Sequence, residues 1–212
     1  MDDALRAELL RRVGKDQAAR KALELDAMRE ADAENLPWLR ELVAGRGWPG
    51  ASVVGVDGAH AMWLLVQHAT ADVAFMRTCL GLLAAAVSSG EASPADQAYL
   101  TDRVLLHEGE QQIYGTQLTR RAGAVVPENL RDPDGVDDRR ALVGLSPLAE
   151  YLARFTESAT ARMPGAPRIK CSDCGAWTPF EPPETDTATV TVACDGCGRE
   201  MTIVGPPRRS RS

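Results

Sequence analysis

The strongest constraint on this chain lies near its carboxyl end, in two short stretches, "CSDCG" and "ACDGCG". Cys171 and Cys174 form one C-x-x-C pair, Cys194 and Cys197 the other, and a glycine follows each second cysteine, Gly175 and Gly198. Two thiolates two residues apart chelate one ion only where the backbone curls around it. Glycine supplies the positive φ that lets amide N–H groups turn toward sulfur. Four such sulfurs form a tetrahedral set, which suits zinc, with iron held in the same manner as the main competitor. Between the pairs "TATVTVA" alternates with period two, and "EMTIVG" follows as a second strand candidate.

The carboxyl-terminal module therefore resembles a zinc ribbon over residues 169–205. Four protein ligands leave no coordination position for water, so the expected role of the zinc is structural rather than catalytic. A module this small has too little core to fold without its ion. Thioredoxin-like chemistry lacks the βαβ context it needs. Cys79, the fifth cysteine, shares an apolar helix face with Met76 and Leu83 and reads as a buried, inert thiol.

The first two-thirds of the chain read as helices, which predicts a mainly α protein. The expected order is a compact multi-helix domain over 1–160, a linker over 161–168, the ribbon, and a disordered basic tail over 206–212. Leu5, Leu9 and Val13 recur at helical spacing from residue 3 toward residue 30, and "ENLPWLRELVAGRG" predicts a second, short helix ended by glycine. "GAHAMWLLVQHA" is apolar nearly all round and belongs in the middle of a bundle. Ser93 is a candidate N-cap with Pro94 at the first helical position, and "AVVPENLRDPDGVDD" reads as irregular.

With 24 basic and 30 acidic residues, the net charge of -6 disfavours sequence-blind nucleic-acid binding, which depends on neutralising phosphates. No apolar run reaches membrane-spanning length, and the acidic start "MDDALRAELLRR" lacks the plan of a secretion signal. Paired thiolates fit a reducing compartment, so a cytoplasmic location is expected.

Several helices break their own pattern. Asp16 and Arg20 fall inside the apolar stripe of the first helix and are four residues apart, close enough to pair. Arg103 and His107 interrupt the apolar sector of "SPADQAYLTDRVLLHEG", and Gln67 and His68 close the buried helix. Burying an unpaired charge costs several kcal/mol, so such groups must meet partners. Structural ion pairs are one outcome. A shared cavity built from facing helices is the other. "YGTQ" follows the Arg103 helix directly and would place Tyr114 and Gln117 at the mouth of such a cavity. Arg139 and Arg140, in "DDRRALVGL", are suited to a carboxylate or phosphate.

"DQAAR", "GWP", "LLVQHA", "AYLTDRVL", "QQIYGTQ" and "DDRRALVGL" together resemble the ordered motifs of a bacterial family known as a domain of unknown function, over about residues 5 to 155. The resemblance implies a compact helical domain and carries over no activity. It marks Asp16, Gln17, Arg20, Trp48, Gln67, His68, Asp102, Arg103, Tyr114, Gln117, Arg139 and Arg140 as matching motif positions. Members commonly look like single domains, so the ribbon is a departure.

Two classes of function follow. In the first, the helical domain takes a small polar or anionic ligand, with His68, Asp16 and Arg20 as candidate catalytic groups and Gln67, Arg103, Tyr114, Gln117, Arg139 and Arg140 as candidate ligand contacts. In the second, the chain is an interaction scaffold whose ribbon docks a protein partner, since acidic side chains and four thiolates disfavour nucleic acid. Convergence of the polar residues on one pocket separates the two.

Overall fold

The computed structural model describes residues 1–121, 124–161, 168–174, 177–180, 189–194 and 199–204. Along these residues run α1 (Asp3–Ala22), α2 (Leu25–Arg46), α3 (Ala51–Gln67), α4 (Val73–Ser88), α5 (Pro94–His107), β1 (Leu118–Arg121) and β2 (Ala124–Pro127). They are followed by α6 (Val136–Leu142), α7 (Leu148–Ala161), β3 (Arg168–Lys170), β4 (Trp177–Pro179), β5 (Thr189–Ala193) and β6 (Glu200–Val204). The protein is thus mainly helical, with small two-stranded antiparallel sheets toward the carboxyl end. Two compact units result, Met1–Leu152 and Ala153–Ser212. No described helix is long and apolar enough to cross a membrane.

α3 organises the first unit because its second half offers water almost nothing. Ala59, Ala61, Met62, Trp63, Leu65 and Val66 are all buried, and α1, α2, α4 and α5 each pack against this helix. Leu9 of α1, Leu39 of α2, Met76 and Leu83 of α4, and Leu100 and Val104 of α5 complete the core. Each such side chain contributes about 1.5–3 kcal/mol relative to exposure. Cys79 lies in the same core with 0% exposure, and burial pushes its thiol up to about 12, so it is an apolar filler and no nucleophile.

Local chemistry sets several helix ends. Asp2 and Asp72 accept from the N–H groups of Leu5 and Phe75, each at 3.0 Å. Ser93 caps α5 by accepting from Asp96 N–H at 3.4 Å, with Pro94 in the first turn. One boundary departs from expectation. The first helix ends at Ala22 rather than near residue 30, because Leu23 turns left-handed at φ 58°. The Glu24 N–H then closes on Ala19 O at 3.2 Å, a Schellman-type stop that usually recruits glycine. α2 consequently starts at Leu25 and runs through Pro37 to Arg46, longer than the short helix expected. A second departure is the hairpin β1–β2, paired from Leu118↔Pro127 to Arg121↔Ala124, in a stretch read partly as irregular.

The second unit contains two antiparallel hairpins. β3 pairs with β4 from Arg168↔Pro179 to Lys170↔Trp177, and β5 with β6 from Thr189↔Val204 to Ala193↔Glu200.

Candidate functional site

Where α3 ends, its apolar face gives way to Gln67, 3% exposed, and to His68 at the C-cap. His68 meets α1. Asp16, 0% exposed, accepts from His68 Nδ1 at 2.9 Å, from Gln17 Nε2 at 2.8 Å and from Arg20 Nε at 2.9 Å. The spacing of four that predicts the Asp16–Arg20 pair is therefore realised. Arg20 also reaches across to α2, donating from Nη2 to Asp32 at 2.6 Å. Burial pushes the Asp16 carboxyl up. The hydrogen bond and charge of His68, with Gln17 and Arg20, outweigh this and leave it below its ordinary value.

This arrangement fixes a tautomer. An ionised carboxylate only accepts, so His68 Nδ1 carries the proton and Nε2 is the basic nitrogen of the neutral ring. Nε2 makes no hydrogen bond with a described residue. Ligand atoms of Asp16, Asp32 and His68 all lie within 4.8 Å of one another, a separation a metal ion can bridge. Arg20 is already bonded to both carboxylates, however, so the cluster holds its own cation.

Arg103 joins the same neighbourhood from α5. Its Nη1 donates to Gln67 O at 3.2 Å, while its Nε is buried without a partner. Burial first, and the charge of Arg20 second, lower its pKa, with Tyr151 and Asp32 opposing. Arg103 lines a hollow of about 370 Å³ together with Leu106, His107, Gln117, Leu118 and Glu128. The Gln67 Oε1 atom is likewise buried and unpartnered.

"YGTQ" contributes Gln117 to this hollow and is held mostly by side chains. Asp102, 0% exposed, accepts from the backbone N–H groups of Ile113 at 2.7 Å, Tyr114 at 3.0 Å and Thr116 at 2.9 Å, and from Thr116 Oγ1 at 2.9 Å. Gln112, also fully buried, accepts from Gln117 N–H at 3.0 Å and donates to Gln117 O at 2.9 Å and to Glu128 O. Tyr151 donates its hydroxyl to Thr116 O at 2.9 Å. Arg139 and Arg140, read as suited to a carboxylate or phosphate, both donate to main-chain carbonyls, and Arg139 also meets a carboxylate of the chain itself. Arg139 donates to Ile113 O at 2.9 Å and pairs with Asp132 at 2.8 Å. Arg140, 1% exposed, donates to Tyr114 O at 2.7 Å and Ser146 O at 2.6 Å, over the Tyr151 ring.

Gly115 completes the turn at φ 68°, where a Cβ would lie 3.1 Å from Leu148 Cδ1. Gly115→Ala is expected to destabilise the protein by about 1–3 kcal/mol, from left-handed backbone strain and crowding. Urea unfolding followed by circular dichroism measures this. No loss of stability would mean that the turn relaxes freely.

Of the residues expected to form a site, Asp16, Arg20 and His68 come together in one hydrogen-bonded cluster, and Arg103 and Gln117 share the hollow. Gln67 touches Arg103 through its carbonyl. Tyr114 is anchored by its backbone, and burial, with Asp102 adding to it, raises its phenol pKa. Sequence reasoning did not single out Asp32 or Glu128, nor the pair of His60 Nδ1 with Asp96 at 2.9 Å. Asp32 lies on a helix with no apolar run to interrupt, so no pattern flagged it.

In the second unit the Cys171–Cys174 pair follows β3, and Cys194 follows β5. Cys171 and Cys194 are buried, and the sulfurs of Cys171, Cys174 and Cys194 all lie within 4.8 Å of one another, with Cys174 and Cys194 at 3.4 Å. Such a cluster of three can hold a metal. Cys197 lies outside the described residues.

Comparison with curated proteins and with solved structures gives no match. A family model does match over residues 1–162, which takes in the whole helical unit with its buried Asp, Arg and His cluster. The chain belongs to the family of unknown function DUF6624.

Proposed function

We propose that the helical domain binds a small polar or anionic ligand in the hollow at Arg103, and that His68 serves there as a general acid or base. The observation that carries this reading is the buried Arg103 Nε without a partner, on a residue that lines a cavity. A buried donor left unmade costs about 1–3 kcal/mol, and a carboxylate or phosphate oxygen would satisfy it with a charge-assisted bond. Gln117, whose Nε2 donates to Thr116 Oγ1 at 3.1 Å, would offer its carbonyl oxygen to the ligand. Tyr114 and Gln67 add a hydroxyl and a second amide. Asp16 orients the imidazole through its bond to Nδ1, and Arg20 is bonded to the same carboxylate. Imidazole exchanges protons near neutral pH, as such a role demands.

In the second unit the same reading assigns one structural zinc to Cys171, Cys174, Cys194 and Cys197. Two C-x-x-C pairs in the sequence, with the sulfurs of Cys171, Cys174 and Cys194 clustered, support it.

Thermal shift with inorganic phosphate and with succinate tests the ligand site. The melting temperature of the wild type should rise with anion concentration, by linkage to the folded state. Arg103→Gln should abolish the rise and His68→Ala should reduce it. Equal shifts in wild type and Arg103→Gln would remove the hollow as the site. Equal shifts in wild type and His68→Ala would remove His68 from it.

A further inference from the structure

The hollow carries both signs of charge, and this narrows what fits it. Arg103 and Glu128 line the same cavity, yet no ion pair joins them, and neither has an ionic partner among the described residues. Opposite charges that share a hollow collapse onto each other where their backbones allow it. Here each backbone is fixed. Arg103 sits on α5, with its Nη1 tied to Gln67 O. Glu128 is tied at both ends of its peptide unit, its N–H donating to Gln117 O at 3.0 Å and its carbonyl accepting from the buried Gln112 amide. The apolar side chains of Leu106 and Leu118 and the polar Gln117 and His107 line the rest of the hollow.

A bare anion would satisfy Arg103 and be repelled by Glu128, and a bare cation would meet the reverse. A molecule with a carboxylate, an ammonium and a short aliphatic body satisfies all of these groups at once. The volume of about 370 Å³ lies at the small end of ligand cavities and suits a molecule of amino-acid or dipeptide size. Resting on the ligand-site reading above, we infer that the ligand is a small zwitterion of the amino-acid class, a free apolar amino acid or a dipeptide, with its carboxylate on Arg103 and its ammonium on Glu128.

Isothermal titration of the full chain tests this with L-leucine, L-leucyl-L-leucine, N-acetyl-L-leucine (no ammonium), L-leucinamide (no carboxylate) and inorganic phosphate. L-leucine or the dipeptide should bind, and whichever is tighter identifies the source. N-acetyl-L-leucine and L-leucinamide should each bind about tenfold or more weakly than that zwitterion. Glu128→Gln, an exposed substitution whose fold circular dichroism can verify, should erase the preference for the zwitterion over N-acetyl-L-leucine. Arg103→Gln should erase the preference over L-leucinamide. If N-acetyl-L-leucine or phosphate binds wild type at least as well as either zwitterion, in an Arg103-dependent way, the zwitterion assignment is overturned and the anion site stands. If none of the five probes binds, both fall.

Discussion

Asp102→Ala is expected to lower the stability of the helical unit by about 3–5 kcal/mol, more than any other single side-chain truncation around the hollow. The carboxylate is fully buried and accepts from three backbone N–H groups and the Thr116 hydroxyl. Alanine leaves all four donors facing a void. Each unsatisfied buried donor costs about 1–3 kcal/mol, and partial collapse or an entering water recovers some of the sum. Asp102→Asn keeps one acceptor oxygen but aims an amide N–H₂ at a donor, so it should lose about 2 kcal/mol. The effect should also reach the ligand site, because Gln117 and Glu128 are hydrogen-bonded to the same loop. Chemical denaturation gives the free energies, and the anion thermal shift gives the site. A loss below about 1 kcal/mol for Asp102→Ala would show that Gln112, Arg139, Arg140 and Tyr151 hold the loop without it.

How much of this was legible in the sequence depends on how far apart the partners lie along the chain. Asp16 and Arg20 are one helical turn apart, so spacing alone placed them together. The Cys171–Cys174 pair was legible for the same reason. Asp16 and His68 are 52 residues apart, yet each breaks an apolar surface, and burial demanded a partner for both. Arg139 and Arg140 show the limit of such reasoning. Their charge suggested an anion, and Arg139 does meet the nearby Asp132, but each also donates to a carbonyl 26 residues back, and a carbonyl carries no signature in the sequence. Leu23 hid a helix end because the left-handed stop normally signalled by glycine or asparagine is made here by leucine. β1 and β2 are four residues each, too short for alternation to register.

Removal of metal is the largest effect expected anywhere in the molecule. In a tetrahedral zinc site with Zn–S bonds of about 2.3 Å, sulfurs stand about 3.8 Å apart. The sulfurs of Cys171, Cys174 and Cys194, within 4.8 Å of one another and as close as 3.4 Å, bracket that value. Apart from these ligands, the described residues of the second unit bury little, Thr178 being the one other buried side chain among them. If the site holds the proposed zinc, the hairpins are expected to depend on the ion, whose binding in comparable small modules amounts to about 10–16 kcal/mol near neutral pH. Purified protein should contain one zinc per chain, and Cys171→Ser or Cys194→Ser should reduce this sharply. Chelation should abolish the strand contribution to circular dichroism, while the helical signal and its cooperative melt persist, because the core around α3 contains no metal ligand. Acid should act in the same direction, since thiolates must lose the metal to bind protons. Well under one zinc per chain in reducing buffer, or iron in its place, would remove the zinc assignment. Collapse of the helical melt on chelation would show instead that the two units fold as one.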